Sequence, residues 1–320
     1  MQTIGEIASR FASLRQQLDR VILGQDRVKM LAITSLVAGG HMLVEGVPGT
    51  GKTLLSLALA RLLGCRFRRI QFTPDLMPAD LLGANIFNQK TQEFVFRAGP
   101  VFTDILLADE INRTPPRTQA ALLESMQENA VTVDGARFAI SPVFTVFATQ
   151  NPVEFEGTYP LPEAQRDRFL FKINIDFPEA ADEARMLTAY ASGQRLHDEI
   201  VGSLQPVISA QELLAARRVV STQVRVEPNI IKYIQELVAR TRRDDAVQIG
   251  AGPRASLALL EGSRASAALS GRDFITPDDV KSLVPSVFAH RVTLSPEAEM
   301  EGLALEDLMT RIFDQVEVPR

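Results

Sequence analysis

Apolar side chains recur at Ile7, Phe11, Leu14 and Leu18, the spacing that puts them on one face of a helix over 4–20. A second apolar helix is predicted over 28–38, closed by Gly39-Gly40. The period then changes. An apolar run over 41–45 leads into a Gly-rich turn and a leucine-rich helix over 53–63, which Gly64 ends. Further apolar runs over 67–72, 105–108, 143–148 and 169–175 read as strands. The 105–108 run has no polar alternation, as expected of a strand buried on both faces of a parallel sheet. Helical stretches separate most of these strands, so the pattern predicts an α/β fold with a parallel sheet between helices, an αβα sandwich. Two segments read as hairpins instead. In 85–98, Ile86-Phe87 and Phe94-Val95-Phe96 flank a polar turn, and 130–140 turns at Asp134-Gly135.

After Phe177-Pro178 the strand signals stop and capped helices follow. Ser209-x-x-Glu212 is a capping box, and Thr276-Pro277 and Ser295-Pro296 each pair an N-cap with a first-turn proline. The chain is therefore divided into an N-terminal helix over 1–20, an α/β domain over 21–178 with hairpin inserts at 85–98 and 130–140, and an all-helical domain over 179–320.

Composition narrows the picture without deciding it. With 320 residues, 46% apolar and 23% charged, the chain can bury a sizeable core. A net charge of −5, no Trp and 3 Tyr count against nucleic acid as the main partner. Cys65 is the sole cysteine, so no intrachain disulfide forms, and it reads as a small buried hydrophobe. His41, His197 and His290 are far apart and lack a cysteine cluster, which argues against zinc. The uncharged stretch over 30–44 is interrupted by polar residues and falls short of the roughly 20 apolar residues of a membrane span. The first ten residues carry Glu6 and Arg10 and lack a signal-peptide apolar core, so a cytoplasmic location is expected.

The chemistry starts at Gly46-Val47-Pro48-Gly49-Thr50-Gly51-Lys52-Thr53, which fits G-x-x-x-x-G-K-[ST] between a strand and a helix. Glycines let such a loop wrap phosphates, and the free N–H groups of the helix start point at them. Lys52 is expected to neutralise the β- and γ-phosphates of ATP, and the Thr53 hydroxyl to coordinate Mg²⁺. The 105–108 strand ends in Asp109-Glu110, where an acid lies beside the phosphate loop of such a sheet. Asp109 is expected to hold Mg²⁺ through water and Glu110 to polarise the attacking water. Asn151, at the tip of the 143–148 strand, is placed to hydrogen-bond the γ-phosphate or that water, although an Asn before Pro152 also starts turns. Arg166 and Arg168 precede the last strand; each reads as a phosphate ligand or as surface charge. Arg254 follows Pro253 at a helix start, a combination that favours phosphate and would let the second domain close over the nucleotide.

Taken in order, these residues resemble the AAA+ ATPases and, within them, the MoxR family. The likeness runs from about residue 20 to 300. It rests on 46–53, Leu107-Ala-Asp-Glu-Ile-Asn-Arg113, Pro115-Pro116-Arg-Thr-Gln119, Val131-Thr-Val-Asp-Gly135, Ala148-Thr-Gln-Asn-Pro152, Glu156-Gly-Thr-Tyr-Pro-Leu-Pro-Glu-Ala-Gln165, Asp167-Arg-Phe169 and Gly252-Pro-Arg-Ala255. The resemblance implies an ATPase domain with a helical lid, assembled as a homo-oligomer, usually a hexameric ring. It implies that Asn151 is the first sensor, Arg168 the finger reaching a neighbour's ATP, and Arg254 the second sensor. The hairpins at 85–98 and 130–140 would be the family's inserts facing the pore or a partner. Arg166 stands where the family usually has an apolar residue, so it competes with Arg168; Arg168 matches the motif and is preferred. Proteins similar to this one mature or activate other proteins, often alongside partners with von Willebrand factor A domains. The expected function is thus a remodelling motor. Two alternatives are a nucleotide-gated binding scaffold with incidental turnover and an AAA+ motor acting on DNA.

Overall fold

The computed structural model describes residues 1–47, 49–151, 157–192 and 201–319. The chain begins with α1 (Ile4–Leu18) and α2 (Asp26–Ala38), enters β1 (Met42–Glu45) and turns through the Gly-rich loop into α3 (Lys52–Leu62). It continues through β2 (Phe67–Gln71), α4 (Pro78–Leu82), a hairpin of β3 (Gly83–Asn88) and β4 (Glu93–Ala98), β5 (Ile105–Asp109) and α5 (Pro116–Glu128). A second hairpin, β6 (Ala130–Val133) and β7 (Ala136–Ala139), precedes β8 (Thr145–Gln150), α6 (Glu163–Arg166) and β9 (Phe171–Asn174).

These strands form a five-stranded sheet in the order β2-β5-β8-β1-β9, with every pairing parallel. Parallel pairing gathers the strands' C-terminal ends on one edge, so the loops after β1, β5 and β8 emerge side by side. The alternation of side chains builds two cores. Met42, Val44, Ile105 and Leu107 face the helices α1, α2 and α3, while Leu43, Leu106 and Ala108 face Leu81, Leu122 and Phe144 on the other side. Every β5 side chain but the last is buried, and each full leucine burial stabilises by about 1.5–3 kcal/mol.

The remainder is largely helical: α7 (Ala180–Ala191), α8 (Val201–Ser203), α9 (Ala210–Gln223), α10 (Pro228–Thr241), then β10 (Val247–Ile249), α11 (Pro253–Leu269), α12 (Pro277–Phe288), β11 (Thr293–Leu294), α13 (Pro296–Met300) and α14 (Leu305–Gln315). The predicted caps form: Ser209 accepts from the Glu212 amide, Thr276 from that of Asp279 and Ser295 from that of Ala298. The expectation of an all-helical second domain needs one correction, because β10 and β11 pair antiparallel. Strands of three and two residues are too short to leave a period-2 signal. Helix α11 is buried against α1 and α2, and Arg217 of α9 donates from Nε to the Leu36 carbonyl at the end of α2, 2.9 Å away. Among the described residues, no helix is long and apolar enough to cross a membrane.

Candidate active site

The Gly-rich loop leaves β1 at Gly46, where a Cβ would stand 2.5 Å from the Ile175 carbonyl oxygen, so the backbone passes where no side chain fits. Gly49 and Gly51 adopt φ of 86° and 85°, left-handed values that favour glycine. Gly51 caps α3 without any side-chain bond, so the first-turn amides keep no side-chain partner and form an anion-attracting end. The Lys52 Nζ lies 2.5 Å from the Gly46 carbonyl oxygen, folded back over the loop. Burial draws the Lys52 ammonium below the usual lysine range, while the nearby Asp109 and Glu110 charges pull it back up. Val47, Thr50 and Thr53 complete the described part of the loop, with the Thr50 hydroxyl donating to the Val47 carbonyl at 3.0 Å. Pro48 lies outside the described residues.

Asp109 ends β5, two strands from β1 across β8. Its Oδ1 accepts from the Thr149 hydroxyl at 2.6 Å and its Oδ2 from Arg69 Nη2 at 2.5 Å. Glu110 takes a left-handed φ of 56° and aims its carboxylate at Gln71 Nε2, 2.6 Å away, and Arg113 Nη1, 3.0 Å away. Asn151 follows the last residue of β8 and is buried, and the neighbouring Gln150 carbonyl accepts from the Gly46 amide at 3.4 Å. The buried Gln119 amide donates to the carbonyls of Ile111, Thr114 and Tyr159, binding the loop after Glu110 to the segment that leads to α6.

Arg168 and Arg254 meet at the opposite edge of the sheet. Arg168 donates from Nη1 to the Leu123 carbonyl at 2.7 Å and lines a cavity of about 300 Å³ together with Gly40, His41 and Arg254, where β1 and β9 begin. Arg254 stands 3.8 Å from Asp167, whose other carboxylate oxygen accepts from the buried Arg291 Nε at 2.7 Å. Arg291 also donates to the Phe169 and Leu170 carbonyls, so the end of α12 holds the helical domain against the start of β9. The structure therefore does not bring Arg254 to the phosphate loop of its own chain; β1 runs between them. A proline-arginine helix start reports affinity for anions but not which end of a sheet it will meet.

The sequence profile of the ATPase family associated with various cellular activities (AAA) matches residues 41–171, and that of the AAA lid domain matches 239–312. Chaperone MoxR1 of Mycobacterium tuberculosis is 39% identical over 95% of this chain and 81% of its own length. This chain belongs to the MoxR family of AAA ATPases. The uncharacterized protein YeaC of Bacillus subtilis is 45% identical over 95% of this chain and 93% of its own. A crystal structure from Cytophaga hutchinsonii, assigned as an ATPase, superposes with a TM-score of 0.89 at 35% identity, covering 98% of this chain and 96% of that one.

Within this MoxR-family chain the sequence reading missed one wall of the site. A cavity of about 360 Å³ adjoins Gly49, Thr50 and Gly51 and is lined by Val21, Ile22, Phe177, Met186 and Tyr190. Apolar and aromatic walls beside a phosphate loop suit a planar base. The wall is assembled from the loop before α2 and from α7, which are more than 150 positions apart, so no local motif announces it. The buried Lys29 anchors the first of these pieces, contacting Asp19, Asp26 at 3.0 Å and the Ile22 carbonyl at 3.2 Å. Pro152 and Glu156 of the family stretches, like His197, fall outside the described residues.

Proposed function

We propose that this MoxR-family protein binds ATP on the loop 46–53, hydrolyses it within a ring of identical subunits, and uses the cycle to remodel partner proteins in the cytoplasm. One observation carries the reading: Lys52, Asp109, Glu110 and Asn151 collect at one edge of the sheet, while Arg168 and Arg254 lie at the other. A chain with its cradle and its arginines on opposite edges serves one nucleotide with the first set and a neighbour's with the second.

In the proposed roles, the α3 amides and Lys52 bind the triphosphate, Glu110 orients and deprotonates the attacking water, and Asn151 positions that water or the γ-phosphate. Arg168 supplies charge to the neighbour's transferring phosphoryl group, with Arg166 as its substitute and Arg254 beside it. Among the described residues no three His, Cys, Asp or Glu side chains gather to hold a metal. Mg²⁺ arriving with ATP needs only one or two protein oxygens, and Thr53 and Asp109 would provide them, neutralising phosphate charge. Gln71 and Arg113 both donate to Oε2 of Glu110, so its Oε1 is the oxygen these two donors leave to accept from water.

The remodelling half of the proposal draws on the hairpin β3–β4, which exposes Ile86, Phe87, Phe94 and Val95, an apolar surface suited to a protein client. Proteins with von Willebrand factor A domains are the first clients to test. Mixing subunits provides the decisive experiment. Lys52→Ala and Arg168→Ala proteins should each be inactive alone, the first for want of nucleotide and the second for want of a finger worth about 10³–10⁵ in rate. Combined, they should recover measurable ATP hydrolysis, because an intact cradle then faces an intact arginine. No recovery in mixed assemblies, or full activity of Arg168→Ala alone, would refute the shared site. Glu110→Gln protein that activates a client as well as wild type would instead favour the scaffold reading.

A further inference from the structure

Thr149 is 1% exposed and stands in β8 directly between Val44 of β1 and the end of β5. Its hydroxyl makes two bonds of opposite sense. It accepts from the Glu110 backbone N–H at 2.8 Å and donates to Asp109 Oδ1 at 2.6 Å. A hydroxyl has a single proton, so once the amide occupies a lone pair that proton is committed to the carboxylate. One buried oxygen therefore fixes the side chain of the first acid and the backbone of the second. The backbone it holds is an unusual one, since Glu110 sits at φ 56°, where a residue with a Cβ stays only if its surroundings enforce it. Asp109 is held at its other oxygen by Arg69, a half-exposed side chain on β2, whereas Thr149 is buried within β8.

The geometry points to Thr149 as a positioning residue that sets Asp109 and Glu110 in mutual register for metal binding and water activation. It rests on the roles proposed for those two acids. Neither a metal ligand nor a proton carrier itself, Thr149 acts through them. Valine reproduces its branched shape and strand preference while deleting the hydroxyl, and serine keeps the hydroxyl while deleting a methyl group.

The test compares Thr149→Val, Thr149→Ser and Glu110→Gln with wild type in the full-length protein. Loss of an outer-shell partner costs about 10- to 100-fold. Thr149→Val should accordingly lower kcat by about 10- to 100-fold with KM within about threefold, and Thr149→Ser should recover most of that loss. A second readout needs no turnover: binding of a fluorescent non-hydrolysable ATP analogue, titrated with Mg²⁺. The Mg²⁺ concentration for half-maximal tightening should rise by about tenfold in Thr149→Val and stay near wild type in Thr149→Ser. Wild-type kcat and Mg²⁺ response in Thr149→Val would overturn the proposal, as would equal defects in the Val and Ser variants, which would assign the effect to packing. Glu110→Gln separates the two levels. If it is inactive while Thr149→Val is fully active, only the role of Thr149 fails; if Glu110→Gln itself turns over normally, the underlying assignment of the acids fails.

Discussion

At the residue scale, burial decides what each polar group does. His41 is enclosed between β1, β8 and α5, with Nδ1 accepting from the Val146 amide at 3.0 Å and Nε2 facing the Met126 carbonyl at 3.3 Å. The amide can only donate, so the ring is neutral with its proton on Nε2. Desolvation drives its pKa down to about 4, against the Met126 carbonyl, which favours the charged form. His290, buried with Nε2 on the Phe169 carbonyl, is pushed the same way. The unfolded chain thus takes up protons first as pH falls through 6.5, and stability declines from there toward pH 4. Urea unfolding at pH 7 and pH 5 should give a loss of about 2 kcal/mol from His41 alone, and a stability unchanged over that range would contradict the assignment. Cys65, half-buried with its thiol pushed up to about 12, is unreactive by the same cause.

At the element scale, the two hairpins are one unit. The Phe96 and Phe138 rings stack at 3.9 Å with 12° between their planes, and Asn85 donates to Asp134 at 2.7 Å. The β6–β7 hairpin lies in the chain between α5, which follows Glu110, and β8, which leads to Asn151, so the stack joins this segment to the hairpin that exposes Phe87 and Phe94. Replacing Phe138 with alanine removes an aromatic pair worth about 0.5–1.5 kcal/mol. Amide exchange across 83–98 should then quicken several-fold while ATP binding stays unchanged; unchanged exchange would mean that the hairpins are independent. Both hairpins were legible from their turns, Asp134-Gly135 above all, because turn chemistry is local. Their stacking was not legible, since Phe96 and Phe138 are 42 positions apart.

At the scale of the whole molecule, the helical domain is anchored by Arg291 and Arg217 to the edge of the sheet opposite the phosphate loop. Arg254 accordingly belongs with Asp167 and Arg168. Arg254→Ala should bind ATP as tightly as wild type yet lose at least about tenfold in hydrolysis rate, and weakened binding with normal turnover would place that arginine over its own nucleotide instead. The sequence by itself determined the order of the sheet strands and the helices between them, the phosphate loop, the two acids at the end of β5 and the capped helices, because each is encoded over a handful of neighbouring positions by period, turn residues or a spaced motif. Only the tertiary structure decided which edge of the sheet receives Arg254, which side chains wall the cavity beside Gly49, and that one threonine hydroxyl joins Asp109 to Glu110. Those depend on how strands far apart in sequence are ordered in the sheet and on which buried donors meet which acceptors, neither of which a local pattern records.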